Sequence, residues 1–423
     1  MMIDLGSVFR RQSERSRWAT ALLSPDNSLL VFGFLLLMAY SMVPFLAWAA
    51  AGASDEYLLL ASLTCLALLA MWLGGNCSIF DHRVGGASEL VEVDGKYVIA
   101  FICLLFLFFG LYVVLTAPTV PLLSALQGVD AYSLSEERGA FLKGRQGVES
   151  ALLYVSTILT STLVPYALLH AFAFGYRIRY ITLGLFIIYC LSFMQKALFL
   201  NALMPIIVLI AMKGYLSRRL VFFVVSGTFI ALLGLVAFSY DGNKSEALVA
   251  GSYFSGSYLP VGSLDYLVWR IFAVPIFTAA DTLAVHRETF SSEHLLGATS
   301  SFFAFVFGFD RINIERYVAD YQFGGSSQIA NSNAVFFIDG FVNFGWLGVF
   351  LYGLVAGQIF RLFRFSSDIA FKALWPIFAF QLFSGSLIGT VLSNGWGGLV
   401  LCALFFKVSE HNTDQSLGRH LNE

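Results

Sequence analysis

The chain has 423 residues, 58% of them hydrophobic and 12% charged, with a net charge of −2 and a mean hydropathy of +0.77. A soluble domain carries about 25% charged residues, so there is too little polar surface here to cover soluble domains of this total length. A cytosolic enzyme, a disordered chain and a secreted disulfide scaffold are excluded, and without a basic excess no nucleic acid is expected as a partner.

Apolar runs near the length that crosses a bilayer as a helix predict about ten spans. They fall at 29–51, 57–74, 97–116, 152–174, 181–194, 198–212, 220–240, 335–360, 369–391 and 397–406. The predicted fold is therefore an all-α polytopic membrane protein with a large external loop. Residues 1–27 form a cytoplasmic segment, 28–116 hold helices 1–3, and 117–151 form a loop with a basic motif. Helices 4–7 occupy 152–240, the large loop 241–333, helices 8–10 334–408, and a cytoplasmic tail 409–423. The first run is longer than a signal-peptide core and follows a long basic segment, which predicts an uncleaved helix. With Arg10, Arg11, Arg15 and Arg17 in the cytoplasm, alternate loops collect Arg177, Arg179, Lys213, Arg218, Arg219, Arg361, Arg364 and Lys372. That is the positive-inside bias of an even number of helices with both ends cytoplasmic.

Cys65, Cys77, Cys103, Cys190 and Cys402 lie in or beside apolar runs without metal-ligand spacing, and read as packing residues. No Asp-x-Asp pair, His-Glu-x-x-His or Walker loop is present, so neither metal nor cofactor is expected.

Function is sought in the two long external loops. The first contains SLSEERGAFLKGRQG (133–147). If helical, Arg138 and Arg145 share a face, because seven residues is close to two turns. The run reads either as a solvated charged loop or as a cationic claw for phosphate. The second loop contains YLVWRIFAVPIFTAA (266–280), broken by Arg270 and Pro275. Too short to cross, it predicts an interfacial or re-entrant segment, with Arg270 either reaching lipid phosphate or facing a site. A second apolar stretch, 295–309, follows His286, Arg287, Glu293 and His294. Two half-membrane segments around ionisable side chains predict a cavity wall on the outer face. Lys196, in the turn between two short spans, is either a snorkelling anchor or a further cation for an anionic headgroup.

From Ser327 the chain reads SQIANSNAVFFIDGFVNFGWLGVFLYGLVAGQIFRLF. This resembles the Wzy-type O-antigen polymerases, oligosaccharide repeat-unit polymerases of bacterial inner membranes. The pattern is met by Ala330-Asn331, Phe337, Asp339-Gly340-Phe341, Asn343-Phe344-Gly345 and Gly348. WRIFAVP (269–275), the basic run from Arg138 to Gly147 and the Gln195-Lys196 turn are similar as well, so the resemblance covers roughly residues 120–360. It implies a GT-C-like glycosyltransferase acting at the periplasmic face on undecaprenyl-pyrophosphate-linked glycans, donor and acceptor both, with lipopolysaccharide as the destination. A separate chain-length regulator is usual in this family. By the same resemblance Arg138, Arg145, Lys196, Arg270 and Arg287 bind the pyrophosphate. His286, His294, Glu293 and Glu137 are candidate bases, and Asn331, Asn333 and Asp339 bind sugar, although Asp339 reads equally as a helix cap. An O-antigen ligase uses the same donor chemistry, and a lipid-linked oligosaccharide flippase is the rival of another class.

Overall fold

The computed structural model describes residues 20–77, 90–129, 131–142, 144–145, 147–194, 198–214, 226–227, 252–324 and 332–409. Six helices among them are long and apolar enough to cross a membrane: α1 (Pro25–Ala51), α2 (Asp55–Asn76), α3 (Gly95–Thr116), Gly147–Ala173, Ser263–Thr289 and Phe336–Phe365. The two short expected spans form helices of 15 residues each, Ile178–Ser192 and Leu198–Met212. The expected span at 220–240 falls almost wholly outside the described residues, of which it holds only 226–227.

In chain order after α3 come α4 (Pro121–Leu126), α5 (Ala131–Leu142), α6 (Gly147–Ala173), α7 (Ile178–Ser192) and α8 (Leu198–Met212). Then follow α9 (Ser263–Thr289), α10 (Ser301–Phe307), α11 (Ile314–Phe323), α12 (Phe336–Phe365), α13 (Ile369–Ala373), α14 (Trp375–Phe383) and α15 (Trp396–Phe405). Strands β1 (Val91–Asp94) and β2 (Phe406–Ser409) pair in parallel, Val91 opposite Phe406.

The central contact is α2 against α12. A Cβ on Gly353 would stand 2.6 Å from the Ala70 Cβ and 2.9 Å from the Ala67 carbonyl oxygen, so these backbones approach closely only through glycine. Beyond Gly353, rings of α12 lock to the C-terminal helices. Phe363 stacks on Phe371 at 4.6 Å, and Phe378 meets Trp396 at 5.1 Å. Such pairs are worth about 0.5–1.5 kcal/mol beyond the area they bury.

Hydrogen bonds gather alternate helix ends at one end of the bundle. Gln358 and Arg361 donate to the Gly74, Cys77 and Gly75 carbonyls that close α2. Trp375 Nε1 donates to Leu23 O before α1, and Lys213 to Ala173 O at the end of α6. The β1–β2 pair adds the start of α3 and the end of α15. Asp368, between α12 and α13, accepts from the Tyr166 hydroxyl at 2.5 Å and lies 3.3 Å from His170 Nε2. Arg177, Arg179, Lys213, Arg361, Arg364 and Lys372 sit on the segments meeting here, so this is the basic end.

Two expectations are corrected. The run 266–280 is not a separate short segment. It belongs to the continuous 27-residue helix α9, with Pro275 inside, and a proline within a helix removes one backbone hydrogen bond without ending it. The ends of α9 meet residues remote from the basic end: Arg287 pairs with Glu56 at the start of α2, and Tyr266 and Arg270 lie beside Arg138 in the loop after α3. The stretch 295–309 is not one helix: it is a turn followed by the seven-residue α10, with Phe302, Phe305 and Phe307 exposed.

Candidate functional site

The apolar run 369–391 reads as one crossing, yet it is broken. Ser384, Gly385 and Ser386 follow α14, and the chain resumes as a π-turn at Gly389–Ser393 before α15. Serine and glycine are poor helix formers, and the Ser386 hydroxyl accepts from the Gly389 amide at 2.9 Å. Non-helical backbone inside an apolar bundle persists only where it is buried or lines a cavity. Here it lines one.

The cavity is about 410 Å³. One wall is the broken segment, with Gln381, Ser384, Ser386, Thr390 and Asn394. Gln381 Oε1 accepts from Asn394 Nδ2 at 2.9 Å and Trp396 Nε1 at 2.7 Å, which fixes that wall. The other wall comes from the large loop and the start of α12: Thr299, Arg311, Asn313, Glu315, Asn333 and Asp339. Arg311 is the only cation lining it among the described residues. Tyr154, near the start of α6, closes the rim, so the cavity lies towards the end opposite the basic residues.

The helix α12, which carries Asp339, is itself broken. Gly345 has φ +63° and ψ −150°, dividing the helix into 336–344 and 346–365. The carbonyls orphaned by the break find partners, because the Leu295 and Leu296 amides donate to Val342 O and Asn343 O at 3.1 and 3.0 Å. Asn343, 1% exposed, ties the pieces together. Its amide donates to Thr299 Oγ1, Asp339 O and Asp339 Oδ1 at 2.7–3.0 Å, and its Oδ1 accepts from the Gly297 amide at 2.9 Å. Asn333 faces Glu315, and with its amide nitrogen turned inward it lies 3.0 and 3.2 Å from the two carboxylate oxygens. Asp339 does not cap α12; the N-cap is Val335.

The residues expected from sequence divide into separate places. Asn333 and Asp339 line the cavity. Arg138 and Arg270 lie within electrostatic range of each other elsewhere. Burial pulls the Arg138 guanidinium below its ordinary pKa, Tyr266 opposes this, and the Arg270 charge lowers it further. Arg270 is exposed and forms no ion pair among the described residues.

Arg145 does not share a face with Arg138. Beyond the end of α5 it turns back on α3, donating to Phe141 O, Thr116 Oγ1 and Val113 O and pairing with Glu149, its side chain 5% exposed. It fastens the carbonyl end of α3. Arg287 is paired with Glu56 and Glu288. His286 and His294 stack in parallel at 6.4 Å, and His286 Nε2 is 2.9 Å from Glu293 O. Their surroundings are Phe341 and the Gly345 break, away from the cavity lining. Glu293 is exposed, and Glu137 buries one carboxylate oxygen without a hydrogen-bond partner among the described residues. Lys196 and Asn331 lie outside the described residues.

Sequence reasoning missed Arg311, Glu315, Gln381 and Asn394. The Ser-Gly-Ser interruption of an apolar run was the available signal for the broken wall. The chain matches no protein-family model, no curated protein and no solved structure.

Proposed function

We propose that the chain is a GT-C-like membrane glycosyltransferase that joins undecaprenyl-pyrophosphate-linked repeat units, as Wzy-type polymerases do, at the periplasmic face of a bacterial inner membrane. The observation that carries this reading is the cavity of about 410 Å³, walled by broken apolar helices and lined by Asn333, Asp339, Glu315 and Arg311. Amide and carboxylate side chains suit sugar hydroxyls. The positive-inside rule assigns the basic end to the cytoplasm and hence the cavity to the periplasm.

The reaction asks little of an acid. A lipid pyrophosphate leaves as a stable anion, so preorganised cations suffice at the donor. Arg311 serves that role at the cavity, and the Arg138–Arg270 pair is a second place where an anionic headgroup fits. A flippase also uses interrupted helices, but in matching halves around mid-membrane charges. The break here is matched by no repeat in the sequence.

Purified protein in liposomes supplied with lipid-linked repeat units tests the reading. Polymer of increasing length is expected, unaffected by EDTA. Translocation of substrate without new glycosidic bonds would assign the chain to the flippase class. Transfer to lipid A core alone would make it a ligase.

A further inference from the structure

The cavity holds two carboxylates in unlike states. Glu315 faces the Asn333 amide, whose nitrogen, when turned towards it, lies 3.0 and 3.2 Å from the two carboxylate oxygens. Asp339 has one oxygen engaged twice: Oδ1 accepts from Thr299 Oγ1 at 2.9 Å and from Asn343 Nδ2 at 3.0 Å. Both donors are fixed in turn, since Asn343 is bound to Thr299 and to the Gly297 amide. The plane of the Asp339 carboxylate is therefore set by two segments, α12 and the turn that carries Gly297 and Thr299. Its Oδ2 makes no hydrogen bond among the described residues, and the side chain lines the cavity. Four residues separate Asp339 from Asn343, which puts them on one face of the helix. A base held in one orientation with a lone pair free is what general-base chemistry requires.

Resting on the polymerase reading above, we propose that Asp339 Oδ2 is the general base for the acceptor sugar, with Thr299 and Asn343 as its positioning residues. The acceptor O–H bond breaks and its proton passes to Oδ2. The acceptor oxygen bonds to C1 of the donor sugar as the C1–O bond to the diphosphate breaks. That electron pair departs with the polyprenyl diphosphate, and the proton is then released to water in the cavity. Charge and atoms balance without a metal or co-reactant. Glu315, which faces the Asn333 amide, orients the sugar rather than taking its proton.

The experiment compares wild type with Asp339→Asn and Asp339→Glu in the reconstituted assay, measuring kcat, KM for the lipid-linked acceptor and their pH dependence. Asparagine keeps an oxygen for Thr299 and Asn343, so the local hydrogen bonds survive. The expected loss in kcat is about 10²–10⁴-fold, with KM within about threefold, the acidic limb of the pH–rate profile abolished, and partial recovery in the Glu variant. A residue with a structural role alone would lower the amount of folded protein and leave the acidic limb in place, and that result would overturn the proposal. So would an Asn variant within threefold of wild-type kcat. If wild type itself forms no polymer, the polymerase reading fails and takes the base with it. If wild type polymerises and the Asn variant keeps pace, only the base assignment fails.

Discussion

Asp368 shows how a single charged side chain is kept inside an apolar bundle. Its Oδ1 accepts from the Ala370 and Phe371 amides at 2.8 and 3.1 Å, capping α13, while Tyr166 and His170 approach from α6. Burial by itself raises a carboxyl pKa. Here the His170 ring, the Tyr166 hydroxyl and the Phe371 amide outweigh burial and hold Asp368 below the ordinary carboxylate range. A depressed folded-state pKa means stability that is present above the unfolded value of about 3.9 and lost as pH falls through the folded one. Acidification below about pH 4 is therefore expected to lower the melting temperature of the wild type. Asp368→Asn, which retains a capping oxygen, should melt lower than wild type at neutral pH and show a shallower acid slope. Thermal unfolding in detergent across pH measures both, and identical slopes would deny Asp368 this role. None of it is visible in the sequence, where Asp368 reads as one charge in a short connection.

At the scale of elements, the uninterrupted apolar runs were legible. The helices α1, α2, α3 and α6 start and stop within a few residues of their expected bounds. What escaped were the breaks and one continuity. Gly345 sits in FGWLG, which reads as a smooth apolar run, and only the fold supplies the Leu295 and Leu296 amides that make a break tolerable there. Conversely, Pro275 and the polar residues Asp281, His286 and Arg287 made α9 look short, although Glu56 and Gln322 satisfy that polar face. Gly345 carries a prediction. Its φ lies in the left-handed region, and an added Cβ would stand 2.7 Å from His294 Nε2. Backbone strain of this kind costs about 1–3 kcal/mol, so Gly345→Ala should destabilise by about that much. It should also impair activity through displacement of Asn343 and Asp339. A variant with wild-type melting and activity would show that the break is not needed.

For the whole molecule, composition pointed to a membrane protein, and six described helices are long and apolar enough to cross one. Hydrogen bonds bring the ends of α2, α6, α12 and α15 together with the start of α3. The site was legible only in part. Asn333 and Asp339 stand in a motif, and the fold brings both to the cavity lining. Arg311, Glu315, Gln381 and Asn394 are single polar residues in separate segments, and no spacing relates them until the chain folds. Arg138 and Arg270 were chosen from different loops and lie within electrostatic range of each other, whereas Arg145 turned inward because the end of α3 needed donors for its carbonyls. The measurement that bears most directly on the account is a cryo-EM map of the protein with a polyprenyl diphosphate oligosaccharide added. The account predicts sugar density between Asp339, Asn333 and Gln381, with the diphosphate against an arginine. Ligand density confined to the lipid-facing surface, with the cavity filled by side chains, would contradict it.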